Sequence, residues 1–106
     1  MAAFFIDLDG TVLNYHTSDW LPGVVDKLAR LVSSGHEIIF ISMRCKERDA
    51  DTEWSLDKTE LALGMLPFAH RFIRDVQAPR ILIDDTQPMA CKVATNDPSS
   101  WPSFNG

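Results

Sequence analysis

The chain has 106 residues, 45% of them apolar and 24% charged, with a formal net charge of −5. That length supports one domain with one core. The acidic balance argues against an extended cationic groove for nucleic acid, although a few Arg and Lys on one rim would suffice for a local one.

The longest apolar runs, such as residues 38–41, are far too short to span a bilayer. Cys45 and Cys91 match no zinc-ligand spacing, and no signal peptide is read ahead of them. They are expected as free thiols of a soluble, cytoplasmic protein.

Residues 2–6 (Ala-Ala-Phe-Phe-Ile) are continuously apolar and stop at Asp7, the pattern of a strand buried on both faces of a parallel sheet. Residues 14–20 are polar and aromatic without period and read as a loop. Pro22 marks a helix start. Val24, Val25, Leu28, Leu31 and Val32 follow at helical spacing, and Gly35 is expected to end that helix as a left-handed cap. Residues 37–42 (Glu-Ile-Ile-Phe-Ile-Ser) predict a second buried strand.

A helical pattern runs from about 49 to 65, with Trp54, Leu56, Leu61 and Leu63 as its apolar members and Pro67 closing it. Residues 71–74 suggest a short edge strand. Only residues 76–79 would link it to the next run, too few for a helical crossover. Residues 80–83 (Arg-Ile-Leu-Ile) predict a third clear strand, broken by Asp84-Asp85, and residues 91–95 offer another. From about 96 the tail, with Pro98 and Pro102, is expected to run irregularly over the surface.

Alternating strands and helices predict an α/β domain over 1–106 with a parallel sheet and right-handed crossovers. All strands of such a sheet end on one edge, so Asp7, Ser42 and Asp84 should meet at the crevice where open α/β sheets bind ligands. In Asp7-Leu8-Asp9-Gly10-Thr11, both carboxylates can reach that crevice once the chain turns at Gly10. Joined by Asp84 and Asp85 they would concentrate up to four negative charges, which a cation must offset. The ligands are all oxygens, which suits Mg²⁺. A lone Asp-x-Asp-Gly is more often a turn or helix cap; three polar strand ends at one edge weaken that alternative.

These residues resemble the signatures of the haloacid dehalogenase-like (HAD) superfamily. Residues 5–13 (Phe-Ile-Asp-Leu-Asp-Gly-Thr-Val-Leu) look like its first motif, residues 39–42 its second, and residues 81–85 its fourth. The likeness spans residues 4 to about 95. It implies a three-layer Rossmann-like sheet of about four to five strands, helices on both faces and no cap domain, since neither intervening segment has room for one.

The resemblance also implies roles. Asp7 would attack phosphorus to form an aspartyl-phosphate, and Asp9 would protonate the leaving oxygen and then activate water. Gly10, Thr11 and Ser42 would hold the phosphoryl group. Asp7, Asp9 through its backbone carbonyl, and Asp84 with Asp85 would hold Mg²⁺. The family's Lys or Arg upstream of the acidic pair has no clear counterpart: Arg71, Arg74 and Arg80 lie nearest, and Arg74 is the preferred candidate. Arg44, just after the second motif, resembles an Arg of the phosphatase domain of polynucleotide kinase-phosphatases and is expected to contact phosphate.

The implied activity is Mg²⁺-dependent phosphomonoester hydrolysis, on a phosphorylated substrate that is large if the uncapped site stays open. Two alternatives stand beside it: a degenerate relative that binds metal or a phosphorylated partner, and a nucleic-acid 3′-end phosphatase, for which Arg44 speaks and the acidic charge does not. Exposed sheet edges leave room for a homo-oligomer. His16, His36 and His70 are expected on the surface or at helix ends, Trp54 in the core, and Tyr15 and Trp20 in the loop after the first motif.

Overall fold

The computed structural model describes residues 1–103. The runs that end at Asp7 and Ser42 are neighbouring rows of a parallel sheet. β1 (Ala3–Asp7) pairs with β2 (Glu37–Ile41), and β2 with β3 (Arg71–Ile73), in the order β1-β2-β3. The register sets Phe4 beside Ile38, Ile6 beside Phe40 and Phe40 beside Phe72, so alternation puts all five side chains on one face.

Between the strands run α1 (Val24–Ser33) and α2 (Leu56–Gly64). Val24 and Leu28 of α1 and Leu63 of α2 join Ile6, Ile38 and Phe40 in one core cluster. Both helices therefore cover the same face. Topology requires this: two successive right-handed crossovers stepping in one direction place their helices on one side.

The end of α1 follows its sequence. The His36 N–H donates to the Leu31 carbonyl and the Gly35 N–H to the Val32 carbonyl, each at 3.0 Å, with Gly35 at φ +91°. This pair of hydrogen bonds closes the helix with a residue in the left-handed conformation, which glycine adopts without strain.

The second helix differs from expectation at its start. Periodicity predicts helix from about 49, yet residues 49–55 form turns. The Asp49 carboxylate accepts the Cys45 N–H at 2.8 Å, and the Ser55 hydroxyl caps Leu56–Gly64 by accepting the Lys58 N–H at 3.3 Å. Asp, Thr and Ser side chains here compete with the helix for backbone partners. Trp54 thus precedes the helix and is half-buried, outside the core cluster.

The edge strand over 71–73 is present, but residues 80–83 and 91–95 form no strand. Six residues separate Ile73 from Arg80, too few for a helical return to the start of the sheet. The run after them lies open, with Ile81 80% and Ile83 92% exposed. Strand propensity is realised only against a partner strand.

The second sheet face carries buried Ile39 but leaves Phe5 54% exposed. The expected burial of β1 on both faces therefore holds on one, because among the described residues no α-helix covers the other. No helix of the described residues is long and apolar enough to cross a membrane.

Leu28→Ala should lower the unfolding free energy by about 2–5 kcal/mol, the usual cost of a truncated core leucine. Ile83→Lys should change it by less than about 0.5 kcal/mol, as expected of an exposed position. Urea denaturation of both variants without added metal checks the pair; a large loss at Ile83 would show that residues 80–83 are packed.

Candidate active site

The carboxyl edge of the sheet presents Asp7 at the end of β1, Ser42 directly after β2 and Arg74 directly after β3. Beyond Asp7 the chain makes a tight knot. The Leu8 carbonyl accepts the N–H groups of Thr11, Val12 and Leu13 at 3.0–3.2 Å, and the Gly10 N–H donates to the Leu13 carbonyl at 2.8 Å. Leu8, Val12 and Leu13 are completely buried, so the loop is pinned by its own apolar residues while Asp9 stays at its rim. Gly10 has φ +77°, and a Cβ there would lie 2.7 Å from Cγ2 of Thr95. Both facts demand glycine.

Asp9 is held from the inside by Arg44. The guanidinium donates from Nη2 to Oδ1 at 2.8 Å and from Nε to Oδ2 at 3.1 Å, a two-pronged contact. Its other donors reach the Thr59 hydroxyl at 2.7 Å and the Thr17 carbonyl. The Arg44 side chain is 1% exposed and the Asp9 side chain 20%. Arg44 therefore positions Asp9 and is not open to a phosphate, contrary to its expected role. From the outside, the His16 N–H donates to Oδ1 of Asp9 at 3.1 Å. The His16 ring stacks between Tyr15 (4.0 Å) and Trp54 (4.4 Å), which gives Trp54 a loop partner in place of its expected core position.

Asp7 has a different neighbour. Nη1 of Arg80 lies 3.3 Å from its Oδ1. Burial pushes the Asp7 carboxyl above its ordinary value; the Arg80 charge opposes this, and the Asp9 carboxylate adds to it. Arg80 rather than Arg74 is thus the cation beside Asp7. Arg74 lies exposed after β3, two strand spacings away, roughly 10 Å, with β2 in between.

The remaining expected residues divide. Thr11 lies within the knot, half-buried. Ser42 is completely buried, and its hydroxyl accepts the Arg44 N–H at 3.0 Å. Asp84 and Asp85 are exposed and are not brought to Asp7; the Thr86 N–H and hydroxyl, with Asp85, hold the Asp84 carboxyl below its usual range. Among the described residues, no group of three or more His, Cys, Asp or Glu side chains could hold a metal ion.

Thr17, Thr59 and His16 were not legible as site residues, while Arg80 stood among three candidate arginines of which Arg74 was preferred. The one signal was proximity of Arg80 to the acidic pair in sequence. No family model, no curated protein and no solved structure matches this chain.

Arg44→Met should destabilise the protein by about 3 kcal/mol, since it strips a partly buried carboxylate of its partner; the solvent-reachable edge of Asp9 keeps the loss at the low end of the range for broken buried pairs. Thr59→Val, which leaves one donor of the buried guanidinium without its acceptor, should cost less, about 1.5–2 kcal/mol. Equal losses in chemical denaturation would contradict the central place given to the ion pair.

Proposed function

We propose that this chain is a HAD-type phosphomonoester hydrolase in which Asp7 is the nucleophile and Asp9 the proton shuttle. The observation that carries the reading is the contrasting support of the two carboxylates at one strand end. Asp9 is fixed by Arg44 and His16, as a group that must meet a leaving oxygen at a set angle needs to be. Asp7 meets the half-exposed Arg80 and remains partly open.

In the reaction an Asp7 carboxylate oxygen bonds to phosphorus as the ester P–O bond breaks, and the proton on Asp9 passes to the departing oxygen. Water then attacks the aspartyl-phosphate, Asp9 takes its proton, and inorganic phosphate leaves with Asp7 restored. Arg80 offsets charge that builds on the phosphoryl oxygens.

Mg²⁺ belongs to the proposal through Asp7, the Asp9 carbonyl, Asp84 and Asp85, an all-oxygen set that suits this ion; bound there it would polarise the phosphoryl group. As placed, these residues form no cage. The proposal therefore has the exposed segment carrying Asp84 and Asp85 close on Asp7 when the ion binds.

The open carboxyl edge supports a large phosphorylated substrate. A degenerate, binding-only relative is the second reading, favoured by the pairing of Asp7 with Arg80. With Arg44 buried, the reading as a nucleic-acid 3′-end phosphatase loses its main support.

Asp7→Asn should reduce turnover of p-nitrophenyl phosphate more than about a hundredfold. The same variant tests the electrostatics. A carboxyl whose folded value is raised costs stability once ionised, so the amide should be at least as stable as wild type at pH 7, where losing a partly exposed ion pair to Arg80 matters little. That advantage should vanish as pH falls below the ordinary value of 3.8. Retained turnover would remove Asp7 as nucleophile.

Millimolar Mg²⁺ should raise the melting temperature by mass action on the folded state, and Asp84→Ala should abolish most of the shift. Thermal melts with and without the ion decide this; an unchanged wild-type curve would eliminate the metal from the proposal.

A further inference from the structure

The loop that leaves Asp9 also returns to it. Gly10 follows Asp9 directly, and six residues later the His16 N–H donates back to Oδ1 of Asp9. A segment far along the chain grips this loop near both ends. The Asn96 N–H donates to the Gly10 carbonyl at 2.7 Å, and Oδ1 of Asn96 accepts the Tyr15 N–H at 3.0 Å.

Asn96 is itself unusual, with φ +60°, a left-handed conformation that Asn tolerates better than most side chains. Its neighbours are tied down. The Asp97 carboxylate accepts the Ser99 N–H at 3.1 Å and begins the short turn Pro98–Ser100, and the Ser100 hydroxyl accepts the Ala94 N–H at 2.9 Å. Nζ of Lys27, in α1, donates to the Pro98 carbonyl at 2.7 Å and lies 5.6 Å from the Trp101 ring centroid. Trp101 packs on the core. The strap is thus anchored to α1 and to the core while Thr95 rests against the bare Cα of Gly10.

We propose that Asn96 is a positioning residue for Asp9, acting through the amides of Tyr15 and His16 from the solvent side while Arg44 acts from the core. This rests on the reading of Asp9 as proton shuttle. Asn96 touches no reacting atom. Its side chain fixes the Tyr15 amide, Tyr15 fixes the approach of the His16 amide, and that amide acts on Oδ1, the oxygen that also accepts Nη2 of Arg44. With the brace removed, Arg44 alone would hold Asp9, and the carboxylate would meet the leaving oxygen less often at the required angle.

The test uses the full chain. Asn96→Gly keeps the left-handed backbone at no steric cost and deletes the acceptor; Asn96→Asp keeps both; Asn96→Ala replaces the glycine variant if that does not fold. On p-nitrophenyl phosphate with Mg²⁺, Asn96→Gly should lower kcat on the order of tenfold, short of the hundredfold that a 1 Å misplacement can cost, with KM within about twofold. Asn96→Asp should restore kcat.

A second readout needs no turnover. The carboxyl ¹³C resonance of Asp9 should move in Asn96→Gly and return in Asn96→Asp. An unmoved Asp9 resonance, or wild-type kcat in Asn96→Gly, overturns the inference. A wild-type protein that hydrolyses no phosphomonoester while its Asp9 resonance responds as described sinks the proposed function and leaves Asn96 as the brace of that carboxylate.

Discussion

Arg44 and its grip on Asp9 constrain more of this molecule than any other single interaction. The Arg44 guanidinium joins the loop after β1, the Thr17 carbonyl of the following loop and the Thr59 hydroxyl of α2, while the residue's backbone N–H donates to the Ser42 hydroxyl after β2. Taking both charges from water is costly, and the attraction offsets that cost only where the remaining donors also find acceptors. Here they do, at Thr59 and Thr17. Long irregular stretches on either side of the sheet edge are therefore not independent loops. They meet at one planar cation, and Lys could not take its place, because a point charge does not supply a fork to a carboxylate and two further donors in fixed directions.

The two carboxylates of the edge gain different properties from their different arginines. Arg44 is enclosed, and exchanging Asp9 for another partner would unmake both prongs of its contact while Thr59 and Thr17 hold the guanidinium in place. Arg80 reaches Asp7 at 3.3 Å from a segment that is otherwise exposed, in surroundings where an ion pair is worth little. The contrast arises through the burial of the two arginines rather than through any difference between the two carboxylates themselves.

How much of this was legible in the sequence depends on whether a feature is set by local pattern or by partners. Val24, Leu28, Leu31 and Val32 at helical spacing, and Gly35 after them, specify α1 and its end without reference to the rest of the chain. The runs ahead of Asp7 and Ser42 are similarly plain. The start of α2 was misplaced because side chains such as Asp49 and Thr52 satisfy backbone and neighbouring groups in turns, which a count of apolar residues does not register. Residues 80–83 have the composition of a strand, but with Arg71–Ile73 already placed on β2 too little chain remains for a helical return. At the site, strand ends brought Asp7 and Ser42 to one edge as expected. Proximity to a strand end did not reveal that Arg74 sits beyond β2 while Arg80 faces Asp7, nor that the whole fork of Arg44 would be spent inside the protein.

The same topology explains why the polar strand ends lie along an open edge. Two crossovers stepping in one direction leave a single helical layer, one core and a second sheet face that carries Phe5 and Ile73 in the open. A chain of this length cannot fill a second core, so its irregular segments gather where buried anchors exist: Leu8, Val12 and Leu13 under the first loop, Arg44 under the second, and Trp101 under the strap. Those anchors all adjoin the carboxyl edge or α1, so the loops they hold converge on Asp7 and Asp9. In this protein the order of the site comes from side chains sunk beneath its loops, with the sheet supplying only the line along which those loops begin.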